Sequence, residues 1–113
     1  MHPEHQLLTD LYAAFNARDI NHCLAGMQPN VIWANGMEGG NVYGHEAVRD
    51  YWTRQWKLVN PRVDPKSFEN NGNRVTVDVH QVVRALDGTL IVDQMVKHVF
   101  TFEDRLVKIF EIA

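Results

Sequence analysis

RVTVDVHQVVRALDGTLIVDQMVKHVFTF, residues 74–102, holds two runs rich in valine, isoleucine and phenylalanine on either side of Asp87-Gly88. β-Branched and aromatic residues suit a pleated, half-buried surface, and Asp-Gly between two such runs is a strong hairpin signal. With Asp87 and Gly88 as the two turn residues, Leu86 pairs with Thr89, Gln81 with Gln94, Val79 with Val96 and Val77 with His98. One face then carries Val75, Val77, Val79, Phe100 and Phe102 with His98, Gln81 and Gln94. The other carries Thr76, Asp78, His80, Arg84, Asp93, Met95, Lys97 and Thr101, with Asp78 across from Lys97. The apolar face must be covered, so His98 is expected to point inward.

Working outward, Asn71-Gly72 marks a second hairpin upstream, and LVKIFEI, residues 106–112, follows a tight turn near Asp104. The second half of the chain is therefore a four-stranded antiparallel meander. Its last strand has two registers. A two-residue turn at Asp104-Arg105 points Val107, Ile109 and Glu111 inward, with Glu111 opposite His98; a three-residue turn points Leu106, Lys108 and Phe110 inward. A buried unpaired ammonium is costly, whereas a carboxylate beside an imidazole is compensated, so the register that pairs His98 with Glu111 is favoured. Lys108 at the rim, snorkelling to solvent, keeps the other register open.

The first half reads as helix. Leu7, Leu8, Leu11, Tyr12 and Phe15 recur at helical spacing between Gln6 and Asn16. Asp19 is placed to cap a shorter helix carrying Ile20, Cys23, Leu24 and Met27, closed by Gly26 and Pro29. The short strand VIWAN leads through the loop GMEGGNVYG into a third helix from His45 to Val59, with Val48, Tyr51, Trp52, Gln55, Trp56 and Val59 on one face and Asn60-Pro61 at its end. Three helices on one face of an antiparallel sheet make the class α+β. At 113 residues the chain is expected to be a single domain over 1–113.

Composition narrows the function. A net charge of −3 and the lack of any Lys/Arg cluster argue against nucleic acid. MHPEHQLLTD has no basic segment followed by an apolar one, and the single cysteine, Cys23, has no internal partner, so a cytoplasmic location is expected. The apolar runs are too short for a membrane span. No metal is expected: His2, Glu4 and His5 lie at the terminus, and His80 and His98 point to opposite faces. The loop GMEGGNVYG lacks the spacing of a phosphate cradle.

LYAAFNARD (11–19), VIWANGMEGGNVYGHEAVRDYW (31–52) and KHVFTFEDRLVKIFEI (97–112) resemble the SnoaL-like branch of the nuclear-transport-factor-2-like superfamily, which also holds ketosteroid isomerases, polyketide cyclases and limonene epoxide hydrolases. The resemblance covers nearly the whole chain. It implies a cone of helices on a strongly curved sheet around an apolar pocket, with dimerisation through the outer sheet face. It also implies that the proton-shuttling aspartate of the steroid isomerases corresponds to Asn35 here, and their protonated aspartic acid to His98. Their helix-one tyrosine falls on Leu11, with Tyr12 beside it. It implies, too, that His98 holds a place comparable to that of the acid/base group on the later strands of the cyclases.

Two functions of different class follow. In the first, the chain is a cofactor-independent isomerase or cyclase acting on a small apolar carbonyl, enol or epoxide-like compound. His98 would move a proton, Glu111 would orient it, and Asn35 or Tyr12 would donate a hydrogen bond to the developing oxyanion. Trp33, Trp52, Trp56, Gln81, Gln94 and Phe100, with Tyr12, would line the ligand site. In the second, it is a non-catalytic dimer that binds a hydrophobic metabolite or serves assembly, with His98 a satisfied core histidine. Val82 and Met95 among the charges of the outer face suit a moderately polar two-fold interface.

Overall fold

The computed structural model describes residues 3–113. Helix α1 (Pro3–Asn16) starts earlier than the apolar period alone predicts, with proline at its first position, and buries Leu8, Leu11, Tyr12 and Ala14. Helix α2 (Ile20–Ala25) is capped as its sequence predicts: the Asp19 carboxylate accepts from the His22 N–H at 3.2 Å, and Gly26 closes the last turn. Helix α3 (Gly44–Leu58) lays Val48, Tyr51 and Trp52 into the core.

Six strands form one sheet: β1 (Met27–Ala34), β2 (Asn41–Tyr43), β3 (Val59–Asn71), β4 (Arg74–Ala85), β5 (Leu90–Glu103) and β6 (Leu106–Ile112). Their order is β2-β1-β6-β5-β4-β3. The expected meander β3–β6 is present. Outside it, all of VIWAN but Asn35 belongs to a longer strand that runs parallel to β6 and pairs with the short β2. The helices cover one face, and the core between the layers is built on Leu8, Trp52, Val75, Val77, Val79, Phe100 and Val107. Pro61 and Pro65 lie within β3, which is tolerated because β3 is an edge strand, and a register shift falls between Pro65 and Ser67.

Val77 pairs with His98, Val79 with Val96 and Gln81 with Gln94, as expected. Leu86 and Thr89 do not pair. Gly88 N–H donates to Ala85 O, Gly88 takes φ 95°, and Arg84 pairs with Leu90, so the loop has three residues, Leu86–Gly88, ending in the left-handed region. A one-residue irregularity beside Ile91 then restores the register from Val83–Val92 onward. Two one-residue departures cancel, and His98 keeps its inward face.

No such cancellation occurs at β6. Asp104 and Arg105 form the two-residue turn, both at positive φ (50° and 69°), and Phe102 pairs with Val107. A bulge then inserts Lys108, so that Thr101 meets Ile109, Phe100 meets Phe110 and Val99 meets Glu111. Val107 and Phe110 are both buried, which neither simple register allows. Glu111 is therefore exposed and opposite Val99, and the expected His98–Glu111 pair is replaced by His98–Ile112. Burying the Phe110 ring outweighs pairing a carboxylate with the imidazole.

Candidate functional site

A cavity of about 380 Å³ lies between the helices and the inner sheet face. The α1 stripe contributes Leu11, Tyr12 and Phe15; β1 and the following loop contribute Trp33, Ala34, Gly36 and Met37; α3 contributes Tyr51, Trp52 and Gln55. The meander supplies Val63, Gln81, Val83, Val92, Gln94, Val96, His98, Phe100, Phe110 and Ile112. Such a volume with apolar walls and few polar groups is typical of a small-molecule site.

The deepest polar group is a pair. Tyr12 Oη lies 2.7 Å from His98 Nδ1, with both residues buried (3% and 7% exposed). Their rings are nearly parallel at 5.9 Å. Phe110 stands edge-on to the imidazole at 4.8 Å and stacks on Trp33 at 4.1 Å, and Trp33 in turn meets Trp52 edge-on. Burial lowers the imidazole pKa to about 4 and raises the phenol well above its ordinary value. Both groups are thus neutral at neutral pH. Nδ1 is engaged by Tyr12, so Nε2 is the ring nitrogen left for a ligand.

The expected site residues divide. Tyr12, Trp33, Trp52, Gln81, Gln94, His98 and Phe100 come together around the cavity. Trp56 stands behind Trp52 at 5.9 Å, under the Arg18 guanidinium, and is absent from the wall. Glu111 is on the outer face, for the register reason given above. Asn35 is buried but faces the loop rather than the cavity. Its Oδ1 accepts the N–H groups of Met37 (3.1 Å) and Glu38 (2.8 Å), and its Nδ2 donates to Glu38 Oε1 (2.9 Å), which Arg54 also approaches. With Oδ1 accepting twice and Nδ2 turned to Glu38, Asn35 shapes the turn beneath Met37 and is not among the cavity-lining residues. His2 lies outside the described residues; among those described no group of three His, Cys, Asp or Glu is placed to hold a metal, and no helix is long and apolar enough to cross a membrane.

Sequence reasoning missed Phe110, hidden by the bulge. Tyr51 and Gln55 were on the legible stripe of α3 but were not singled out for the site; burial raises the pKa of the Tyr51 phenol.

The TerC protein, crystallised with polyporic acid, is 28% identical and superposes with a TM-score of 0.89 over 99% of this chain and 91% of its own. An NTF2-like protein of unknown function from Burkholderia pseudomallei gives the same identity and score, 28% and 0.89, over 100% and 91%. A protein of ketosteroid isomerase-like fold from Catenulispora acidiphila shares the fold at 13% identity and a TM-score of 0.83, over 95% and 83%. No curated protein matches the sequence significantly. The SnoaL-like domain model matches residues 8–111, nearly the whole of both layers, and the chain therefore belongs to the SnoaL-like family within the NTF2-like fold.

Proposed function

We propose that the protein takes a small, flat aromatic carbonyl compound into this cavity and moves its double bond by keto–enol tautomerisation, without a cofactor. The carrying observation is the buried 2.7 Å contact of Tyr12 Oη with His98 Nδ1 among aromatic walls. In a dry site that keeps both groups neutral, a relay that creates no net charge is the least costly path. His98 Nε2 takes the proton from the carbon beside the carbonyl, Nδ1–H passes its proton to the Tyr12 oxygen, and the Tyr12 O–H proton goes to the carbonyl oxygen. The C–H electron pair becomes the C=C bond, and the carbonyl π pair becomes the O–H bond. Running the relay backwards onto a different carbon completes an isomerisation and restores the first imidazole tautomer. TerC, crystallised with polyporic acid, supports an aromatic ligand for this fold.

The test is hydrogen–deuterium exchange at the α-carbons of 2-tetralone in D₂O, followed by NMR. Wild type is expected to exceed buffer, and Tyr12→Phe and His98→Gln to lose about 100-fold or more of the enhancement. Exchange at the buffer rate would sink the relay. A second reading, binding without turnover, is favoured by the absence of any carboxylate among the cavity-lining residues. It is the reading left if polyporic acid quenches tryptophan fluorescence while 2-tetralone is untouched. The same proposal includes a homodimer through the convex sheet face, where Met95 is 58% exposed beside the His80–Asp93 and Lys97–Asp78 pairs.

A further inference from the structure

Four residues along the strands from His98 and its partner Val77, two amide side chains meet, and a third lines the same cavity. Gln81 and Gln94 face each other across β4 and β5, and Gln94 Nε2 donates to Gln81 Oε1 at 3.0 Å. Among the described residues no other hydrogen bond engages the Gln81 amide N–H₂ or the Gln94 carbonyl oxygen. Gln55 reaches the same cavity from α3 and makes no hydrogen bond to any described residue. Gln81 is half-buried and Gln94 exposed, so these amides stand at the mouth, whereas Tyr12 and His98 stand at the floor.

The distance between the two polar ends follows from the strand. Gln94 and His98 are four residues apart on the same face of β5, and a strand rises about 3.3 Å per residue, so their backbones are separated by roughly 13 Å. Between them on that face lies Val96, flanked by Val79 on β4. The cavity is thus apolar in its middle and hydrogen-bonding at both ends.

We propose that Gln81 and Gln94, with Gln55, form a second polar anchor, and that the site selects flat two-ring aromatic compounds bearing an oxygen at each end. The inference rests on the reading of Tyr12 and His98 as the first anchor. A terminal hydroxyl at the mouth donates to the Gln94 carbonyl and accepts from the Gln81 amide, both already oriented by their mutual bond. A ligand lacking that oxygen leaves the amides to water.

The experiment compares 4-phenylphenol with 4,4′-dihydroxybiphenyl, the same frame with one or two terminal hydroxyls, by quenching of tryptophan fluorescence. Wild type is expected to bind the diol about five- to ten-fold more tightly, the range of one net hydrogen bond at a partly wet site. Gln81→Leu/Gln94→Leu is expected to bind the two alike, and Tyr12→Phe to weaken both while keeping the preference for the diol. Equal binding by wild type, or a preference that survives in the double leucine variant, overturns the second anchor alone. If neither phenol binds, or if Tyr12→Phe binds both as wild type does, the first anchor falls and the inference falls with it. Circular dichroism of the double variant checks its fold, and the single variant Gln94→Leu, at an exposed position, gives the same reading if the double variant unfolds.

Discussion

His98 is an imidazole enclosed by Tyr12, Phe100 and Phe110, and that enclosure couples its charge to folding. Its pKa falls from 6.5 to about 4 on burial, so between those values the unfolded chain takes up a proton that the folded chain refuses. Stability is whole above the unfolded value and is lost as pH drops towards the folded one, by on the order of 3 kcal/mol when complete. The carboxylates with depressed pKa, Glu38, Asp78 and Asp87, act in a lower window, as pH falls through and below their ordinary range. The urea midpoint of wild type is therefore expected to fall between pH 6.5 and 4.5, and that of His98→Gln to stay flatter; equal slopes would refute the buried neutral imidazole. Glu111→Gln, at an outward position, is expected to change neither this slope nor 2-tetralone exchange. A ten-fold loss of exchange in that variant would mean that the carboxylate reaches the site. The inward face of His98 was legible because a two-residue period leaves only two choices. The contact with Tyr12 was not, because Leu8, Leu11, Tyr12 and Phe15 share one stripe of α1, and which of them meets β5 depends on how the sheet curves beneath the helix.

Among the elements, β6 shows where local pattern stops being informative. LVKIFEI offers Val107 and Phe110 for burial, three residues apart, and a strand can bury both only with an extra residue between them. The Asp104-Arg105 turn that feeds it holds two non-glycine residues at positive φ, and among the described residues the Arg105 side chain makes no hydrogen bond or ion pair. Arg105→Gly is expected to stabilise the protein by about 1 kcal/mol, read as a raised thermal midpoint. A lowered midpoint would show that the side chain contributes something its geometry does not reveal. Asn35 was read as a catalytic position because the family resemblance matches it to the proton-shuttling aspartate of the steroid isomerases; the loop geometry makes it the residue on which residues 36–40 turn. Asn35→Ala removes the acceptor for two backbone N–H groups, and amide exchange at Met37 and Glu38 is expected to rise at least ten-fold with the sheet unaffected. Unchanged exchange there would assign the turn to Glu38 and Arg54 alone.

For the whole molecule, class and layering were legible from two Gly-containing hairpin turns and three amphipathic stripes. The parallel pairing of β1 with β6 was not, since it joins residues 77 to 80 positions apart with no local signal. Trp33 and Trp52 reach the cavity while Trp56 packs behind them, a distinction made by the depth of α3 over the sheet. On the convex face, a homodimer is expected to show twice the chain mass by light scattering at micromolar concentration, and Met95→Glu to return the monomer. A monomeric wild type would end that proposal.

The sheet's two borders have a bearing on how copies meet. One border is β2, only three residues long; the other is β3, where Pro61 and Pro65 withhold two N–H donors and an irregularity breaks the ladder. Neither offers a long row of free backbone groups on which another chain could lay a strand. Open-ended polymerisation along the hydrogen-bonding direction is thereby discouraged in the folded state, in keeping with the proposed face-to-face homodimer, which a two-fold axis would close after one step.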